Sequence, residues 1–174
     1  MGLSREIPWA LGNCSQLRFI DFSYNILSGR ILLELAFLHD LKYLNLAFNN
    51  LENGIPASLE RCSNLVQLDI GINRLEGSLP MTIFRLPLFS LYLANNMLVG
   101  TFLEATGNLT HLNYIDLSGN RFTRNWPEAI SNLSSLMFSD LSALFSNGST
   151  VKMPDSINRL SEMTFRTWKW GYVQ

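Results

Sequence analysis

Residues 41–64 read LKYLNLAFNNLENGIPASLERCSN. With Leu41 as position 1, leucines stand at 1, 4 and 6, asparagine at 9, leucine at 11 and Ile-Pro at 15 and 16. Apolar groups follow at 19 and 22. The stretch contains no obvious catalytic group. Its meaning comes from recurrence: the pattern restarts at Leu17, Leu41, Leu65, Leu88, Leu112 and, less well, Leu136, at spacings of 24, 24, 23, 24 and 24 residues. Self-similarity at a fixed period of this length predicts a stack of similar coils.

Each position has a physical reason. Positions 1, 4 and 6 suit a short strand whose inward side chains fill a core. The asparagine column is Asn25, Asn49, Asn73, Asn96 and Asn120. An amide there can satisfy unpaired backbone groups where the chain leaves the strand, and can repeat as a ladder. Gly29, Gly54, Gly77 and Gly100 are expected in turns with positive φ. Pro56, Pro80, Pro127 and Pro154 are expected to stiffen the return segment. The groups at 19 and 22 close the core from behind. One coil cannot bury its own apolar face, whereas stacked coils can.

These residues carry a resemblance. LxxLxLxxNxLxGxIPxxLxxLxx is the leucine-rich repeat pattern, in the 24-residue form of plant extracellular proteins. "LYLANNMLVG", "IDLSGNRFTRNWPEAISNLSSL" and "LDIGINRLEGSLP" match it. The chain resembles the ectodomains of plant receptor-like serine/threonine kinases and receptor-like proteins over about residues 3 to 160. The implied fold is an α/β solenoid: a leucine-rich repeat horseshoe of about six uncapped repeats, with a parallel concave β-sheet and an irregular or 3-10 convex side. The array is expected over 1–162, with 163–174 a degenerate repeat or tail. Leu144 breaks the asparagine column, and "FSDLSALFSNGSTVKMPDSINRLSEM" is similar to the irregular last repeats of receptor kinases that also carry a malectin-like domain.

The ends read as cuts. Met1 falls at position 9, inside a coil, and the paired-cysteine caps that the resemblance implies are absent, so a fragment is expected. Cys14 and Cys62 both occupy position 22, two coils apart. Two strand spacings give ~9–10 Å, beyond the ~7 Å that a disulfide spans between Cα atoms. Two buried free thiols are expected. The opening MGLSREIPWA has no apolar signal-peptide run, and Glu6 breaks the myristoylation pattern.

Four sequons occur, at Asn13, Asn108, Asn132 and Asn147. The first three fall at position 21, on the outer return side, where a glycan would not disturb packing. They point to an extracellular or cell-surface parent protein.

Composition excludes several functions. The 174 residues are 47% hydrophobic and 16% charged, with net charge −1. No basic field exists to hold nucleic acid or acidic lipid. No run of 18 apolar residues spans a membrane. There is no phosphate loop, HExxH, CxxC or kinase signature. His39 and His111 fall on the outer side at positions 23 and 24. No enzyme, cofactor or metal is expected; any kinase activity would lie in a domain outside this chain.

What remains is a surface. Positions 2, 3, 5, 7 and 8 are expected to face out from the concave sheet. The candidate ligand-binding residues are Phe19, Asp21, Tyr24, Tyr43, Asn45, Phe48, Gln67, Asp69, Tyr92, Tyr114 and Asp116. Rings supply contact area, and fixed carboxylates select donors or cations. The four rings Phe19, Tyr24, Tyr43 and Phe48 are expected to meet within two coils. The expected partner is a peptide or protein ligand, with a co-receptor beside it. The resemblance implies a recognition module of a receptor-like kinase or receptor-like protein. Two alternatives stand: a secreted inhibitor of the polygalacturonase-inhibitor type, and a truncated receptor remnant.

Overall fold

In a computed structural model the described residues are 2–101, 109–123, 133 and 135–140. Two parallel sheets run the length of the stack. The concave sheet holds the three-residue strands β2 (Phe19–Asp21), β4 (Tyr43–Asn45), β6 (Gln67–Asp69), β8 (Ser90–Tyr92), β10 (Tyr114–Asp116) and β12 (Phe138–Asp140), in that spatial order. Their middle residues are in register. Ile20, Leu44, Leu68, Leu91 and Ile115 form one buried row, and Ser139 continues it. Strict alternation along each strand sends this row into the core and the flanking positions 3 and 5 outward.

The second sheet holds β1 (Ser4–Arg5), β3 (Ile26–Arg30), β5 (Asn50–Asn53), β7 (Arg74–Ser78), β9 (Met97–Thr101) and β11 (Arg121–Thr123). Sequence reading did not foresee it. It forms just after the asparagine column, around the position 11 side chains Leu27, Leu51, Leu75, Leu98 and Phe122, all buried. The core lies between the two sheets and the 3-10 turns η1 (Trp9–Asn13), η2 (Leu33–Phe37), η3 (Ala57–Arg61) and η4 (Met81–Arg85). These turns start from an extended residue at position 16. Pro8, Pro56 and Pro80 suit it, with φ near their fixed ring value. Leu32 holds the same conformation without a ring.

The one short spacing has a local cause. Elsewhere the position 1 amide bonds a carbonyl three residues back, as Leu41 N–H does to Leu38 and Leu65 N–H to Cys62. Leu88 N–H bonds Leu86, only two back. The tighter turn through Pro87 absorbs the missing residue and keeps β8 in register with β6.

The asparagines tie coil to coil. Oδ1 of Asn49 accepts Leu27 N–H at 2.9 Å, while Nδ2 donates to Phe22, Leu46 and Ala47 carbonyls. Asn73 and Asn120 repeat this set of four bonds one and three coils on. Asn96 makes it between them. Asn25, on the first concave coil, makes three and is only half-buried.

Three expectations need correction. Gly54 is not in the left-handed region. The left-handed residue is at position 13, which that coil fills with Asn53 (φ 67°), where Gly29 and Gly77 stand in its neighbours. Cys14 is exposed rather than buried, because among the described residues no coil lies where Leu35 of the preceding coil covers Cys62; Cys62 is buried, its Sγ on the Leu35 carbonyl at 3.2 Å. Position 7 faces solvent only in part: Ser23, Ala94 and Ser118 are half-buried, and Ala47 and Gly71 are buried. Ala47 is 3% exposed, and a Cβ on Gly71 would meet the Ala94 carbonyl at 3.3 Å. The column Ser23, Ala47, Gly71, Ala94 and Ser118 holds small residues, which suit the close approach of successive coils seen at Gly71. Asn108, Asn132, Asn147, Pro127, Leu144, Pro154 and the tail 163–174 lie outside the described residues.

Candidate functional site: the concave face

Position 3 projects Phe19, Tyr43, Gln67, Ser90 and Tyr114 onto one face, and position 5 projects Asp21, Asn45, Asp69, Tyr92 and Asp116 beside them. Position 8 adds Tyr24, Phe48 and Ile72 past the strand ends. The rings meet in two pairs, column by column, rather than as one group of four. Phe19 and Tyr43 lie 5.3 Å apart at 42°, and Tyr24 and Phe48 stack at 4.1 Å and 14°. Phe19 is 61% and Tyr24 73% exposed, so the first coils offer apolar area to solvent. Such rings supply large contact area at low entropic cost.

Position 8 has an unusual backbone. Tyr24, Phe48, Ile72 and Asn95 all lie in the left-handed region, with φ of 52° to 56°. Ladder bonds fix it: Tyr24 N–H donates to the Ala47 carbonyl and Phe48 N–H to Gly71. This conformation turns the chain out of the strand and holds the side chain up from the face. Bulky residues accept it at a cost of ~1–2 kcal/mol each.

Position 5 has a structural use. Oδ1 of Asp21 accepts the Ser23 N–H and hydroxyl, that of Asp69 accepts Gly71 N–H, and that of Asp116 accepts the Ser118 N–H and hydroxyl. Asn45 makes the same bond to Ala47 N–H. Each thus fastens the tight step at position 7. Their electrostatics differ. Bonds from Ser23 hold the Asp21 carboxyl below its ordinary range. Burial raises that of Asp69, and the charges of Asp116 and Asp21 add to the effect.

Tyr92 stands in register between Asp69 and Asp116. Its hydroxyl is pushed above its ordinary range, first by burial and then by Asp69. Sequence reasoning omitted Phe89, whose ring is 47% exposed and lies 5.5 Å from that of Tyr114. Its column is otherwise Arg18, Lys42, Val66, Asn113 and Met137, so a ring there departs from its column as Tyr92 does from its own. The side chains of Phe138 and Asp140, at the end of these columns, lie outside the description.

The other candidates are dispersed. His39 and His111 are exposed, and His39 Nδ1 lies 3.0 Å from the Arg61 carbonyl. Asn13 is exposed at the end of η1, clear of the concave face. Among the described residues no group of three His, Cys, Asp or Glu could hold a metal, and no helix is long and apolar enough to cross a membrane.

Comparison with known proteins bears on this surface. The sequence profile of the Leucine Rich Repeat family matches residues 40–62 and 111–133. None of the curated proteins matches the chain in sequence. Among solved structures it is similar to the ectodomain of the plant membrane receptor kinase GASSHO1/SCHENGEN3 from Arabidopsis thaliana, in complex with CASPARIAN STRIP INTEGRITY FACTOR 2. The identity is 34% over 98% of this chain and 20% of that one, with a TM-score of 0.90. It is similar to the Arabidopsis receptor kinase HAESA in complex with the peptide hormone IDA and the co-receptor SERK1, at 31% identity over 81% of this chain and 24% of that one, with a TM-score of 0.79. In the BIR3–SERK2 complex from Arabidopsis thaliana the match is 33% identical over 70% of this chain and 68% of that one, with a TM-score of 0.59. The chain spans about a fifth to a quarter of the length of the two larger ectodomains. It belongs to the leucine-rich repeat family, in the form carried by plant receptor-kinase ectodomains.

Proposed function

We propose that this chain is a non-catalytic recognition segment of an extracellular receptor-like protein, and that its concave face seats an extended peptide or a protein partner. The observation that carries the reading is the double column of rings. The tilted pair Phe19–Tyr43 and the stacked pair Tyr24–Phe48 present solvent-exposed aromatic area on the strand ladder. A scaffold whose strands are laddered coil to coil can hold such rings without reorganising on binding. The relatives support the class of partner, since the GASSHO1/SCHENGEN3 ectodomain is in complex with CASPARIAN STRIP INTEGRITY FACTOR 2, and HAESA with the peptide hormone IDA and the co-receptor SERK1. The same reading puts the parent protein at the cell surface, with Asn13 open to glycosylation and the repeat array covering 1–162. Signalling would then come from a domain outside this chain.

The test uses the full chain as bait for a phage library of random dodecapeptides. Recovered peptides should bind the protein and lose tenfold or more in affinity to the Tyr43→Ala/Phe48→Ala variant, as truncated aromatic anchors do. Circular dichroism should be unchanged. Peptides that bind both proteins equally, or no binders at all, would overturn the reading.

A further inference from the structure

The two halves of the concave face differ in chemistry. Over the first two strands the concave columns carry aromatic rings at positions 3 and 8, and position 2 holds the exposed cations Arg18 and Lys42. Over β6, β8 and β10 position 2 holds Val66, Phe89 and Asn113, and none of these is charged. There Tyr92 lies between Asp69 and Asp116, one strand away on each side. Each carboxylate spends Oδ1 on the backbone two residues ahead. Among the described residues no hydrogen bond or ion pair engages the Oδ2 of either; the ion pair that is formed, Arg85–Glu60, joins η4 to η3 on the convex side.

A separate observation comes from Ser90. It precedes Tyr92 by two residues on β8, so its side chain points to the same face. It is the shortest of its row, in register between Gln67 and Tyr114, and only 3% exposed. Its hydroxyl has no hydrogen-bond partner. A buried hydroxyl left unmade costs free energy, about 1–3 kcal/mol, and a ligand donor would relieve that cost.

We infer that Asp69, Tyr92 and Asp116, floored by Ser90, form a subsite for a cationic side chain, arginine or lysine, of the extended peptide. This rests on the recognition reading above and adds the chemistry of one ligand residue. A guanidinium lying on the Tyr92 ring would meet the ring's negative face and present its planar fork of donors to a carboxylate on each side. The raised ranges of the Asp69 carboxyl and the Tyr92 hydroxyl fit a place where negative charge is crowded and half-buried. A cation removes that crowding. The apolar columns over β2 and β4 would then take the neighbouring hydrophobic residues of the same peptide.

The decisive variant is D69N/D116N. Asn45 already makes the position 5 backbone bond with an amide oxygen, at 3.1 Å to Ala47 N–H, so the substitutions remove charge and keep the step at position 7. The full chain and this variant are each panned against the same random dodecapeptide library. The wild-type pool should carry arginine and lysine at least twofold above the unselected library, and the variant pool at library frequency. A synthetic wild-type clone with its selected Arg→Gln should lose tenfold or more in affinity for the wild-type chain and less than twofold for D69N/D116N. A cationic excess in both pools, or in neither, overturns the subsite. Clones that depend on Tyr43 and Phe48 yet show no cationic excess overturn the subsite alone. An absence of concave-face binders overturns the recognition reading with it.

Discussion

Asn49 belongs to one coil and serves two: its Oδ1 holds Leu27 N–H at 2.9 Å, in the coil before its own. Its Nδ2 is shared among three carbonyls, one of them Phe22 of that same earlier coil. The residue is 7% exposed, so water cannot take over these partners. Asn49→Ala is expected to cost on the order of 3 kcal/mol, because buried donors and acceptors are left unmade. Asn25→Ala, at a half-buried position with three bonds, should cost less than half as much. Urea unfolding of the two variants checks this. Equal losses would mean that burial does not set the value of the ladder.

Two carboxylates of one column should respond oppositely to pH. The Asp69 carboxyl is raised in the folded chain, chiefly by burial. The stability linked to it is therefore present below its unfolded value and lost as pH rises through the folded one. Asp69→Asn should thus raise the melting temperature at pH 7, and the gain should vanish near pH 3. The Asp21 carboxyl is lowered, chiefly by the Ser23 hydroxyl. Its contribution is present above the unfolded value and lost as pH falls through the folded one. Asp21→Asn should lower the melting temperature slightly at pH 7 and not at pH 3. Shifts of the same sign would show that local charge does not govern this column.

The repeat length, the concave strands and the asparagine ladder were legible because each rests on one residue type in a fixed place. A leucine at 4 or an asparagine at 9 has one use in such a coil. The second sheet was not legible. ILSGR, NLEN and RLEGS share little beyond the apolar residue at 11, and their pairing comes from stacking beneath a neighbour rather than from alternation of their own. The small residues at 7 were written in the column Ser23, Ala47, Gly71, Ala94 and Ser118, yet small size reads equally as exposure or as close approach. The acids at 5 were ambiguous for a similar reason. One carboxylate can brace a backbone amide through Oδ1 and still offer Oδ2 to a ligand, and spacing does not separate these uses.

The two thiols should differ in reach. Cys14 is exposed, while burial pushes the Cys62 thiol up to about 11. A disulfide reagent such as DTNB at pH 8 should titrate one thiol per native chain at once and the second only in denaturant. Linkage adds a second readout. The folded value lies above the ordinary thiol value of about 8.5, so the associated stability is full below that pH and lost as pH rises through 11. Unfolding free energy should fall across this alkaline window, and Cys62→Ala should remove that part of the slope. Two thiols reacting equally fast in the native chain would show that the coil around Cys62 opens readily.

Ile72 is the last of the bulky residues at position 8, with φ 52°. A β-branched side chain is poorly suited to the left-handed region, at a cost of ~1–2 kcal/mol. The next coil puts Asn95 in the same place with φ 54°, so an amide residue accepts this backbone conformation. Ile72 is 39% exposed, so its side chain returns only part of the usual burial energy. Ile72→Asn should therefore stabilise the chain by about 0.5–1 kcal/mol in urea unfolding. The same change removes the third member of the apolar column that Tyr24 and Phe48 begin, and dodecapeptides selected on the wild-type chain should bind several-fold more weakly. Greater stability with weaker binding is the signature of a strained residue kept for its side chain. A loss of stability would mean that packing at Ile72 outweighs backbone strain, and that the column is held for the fold rather than for a ligand.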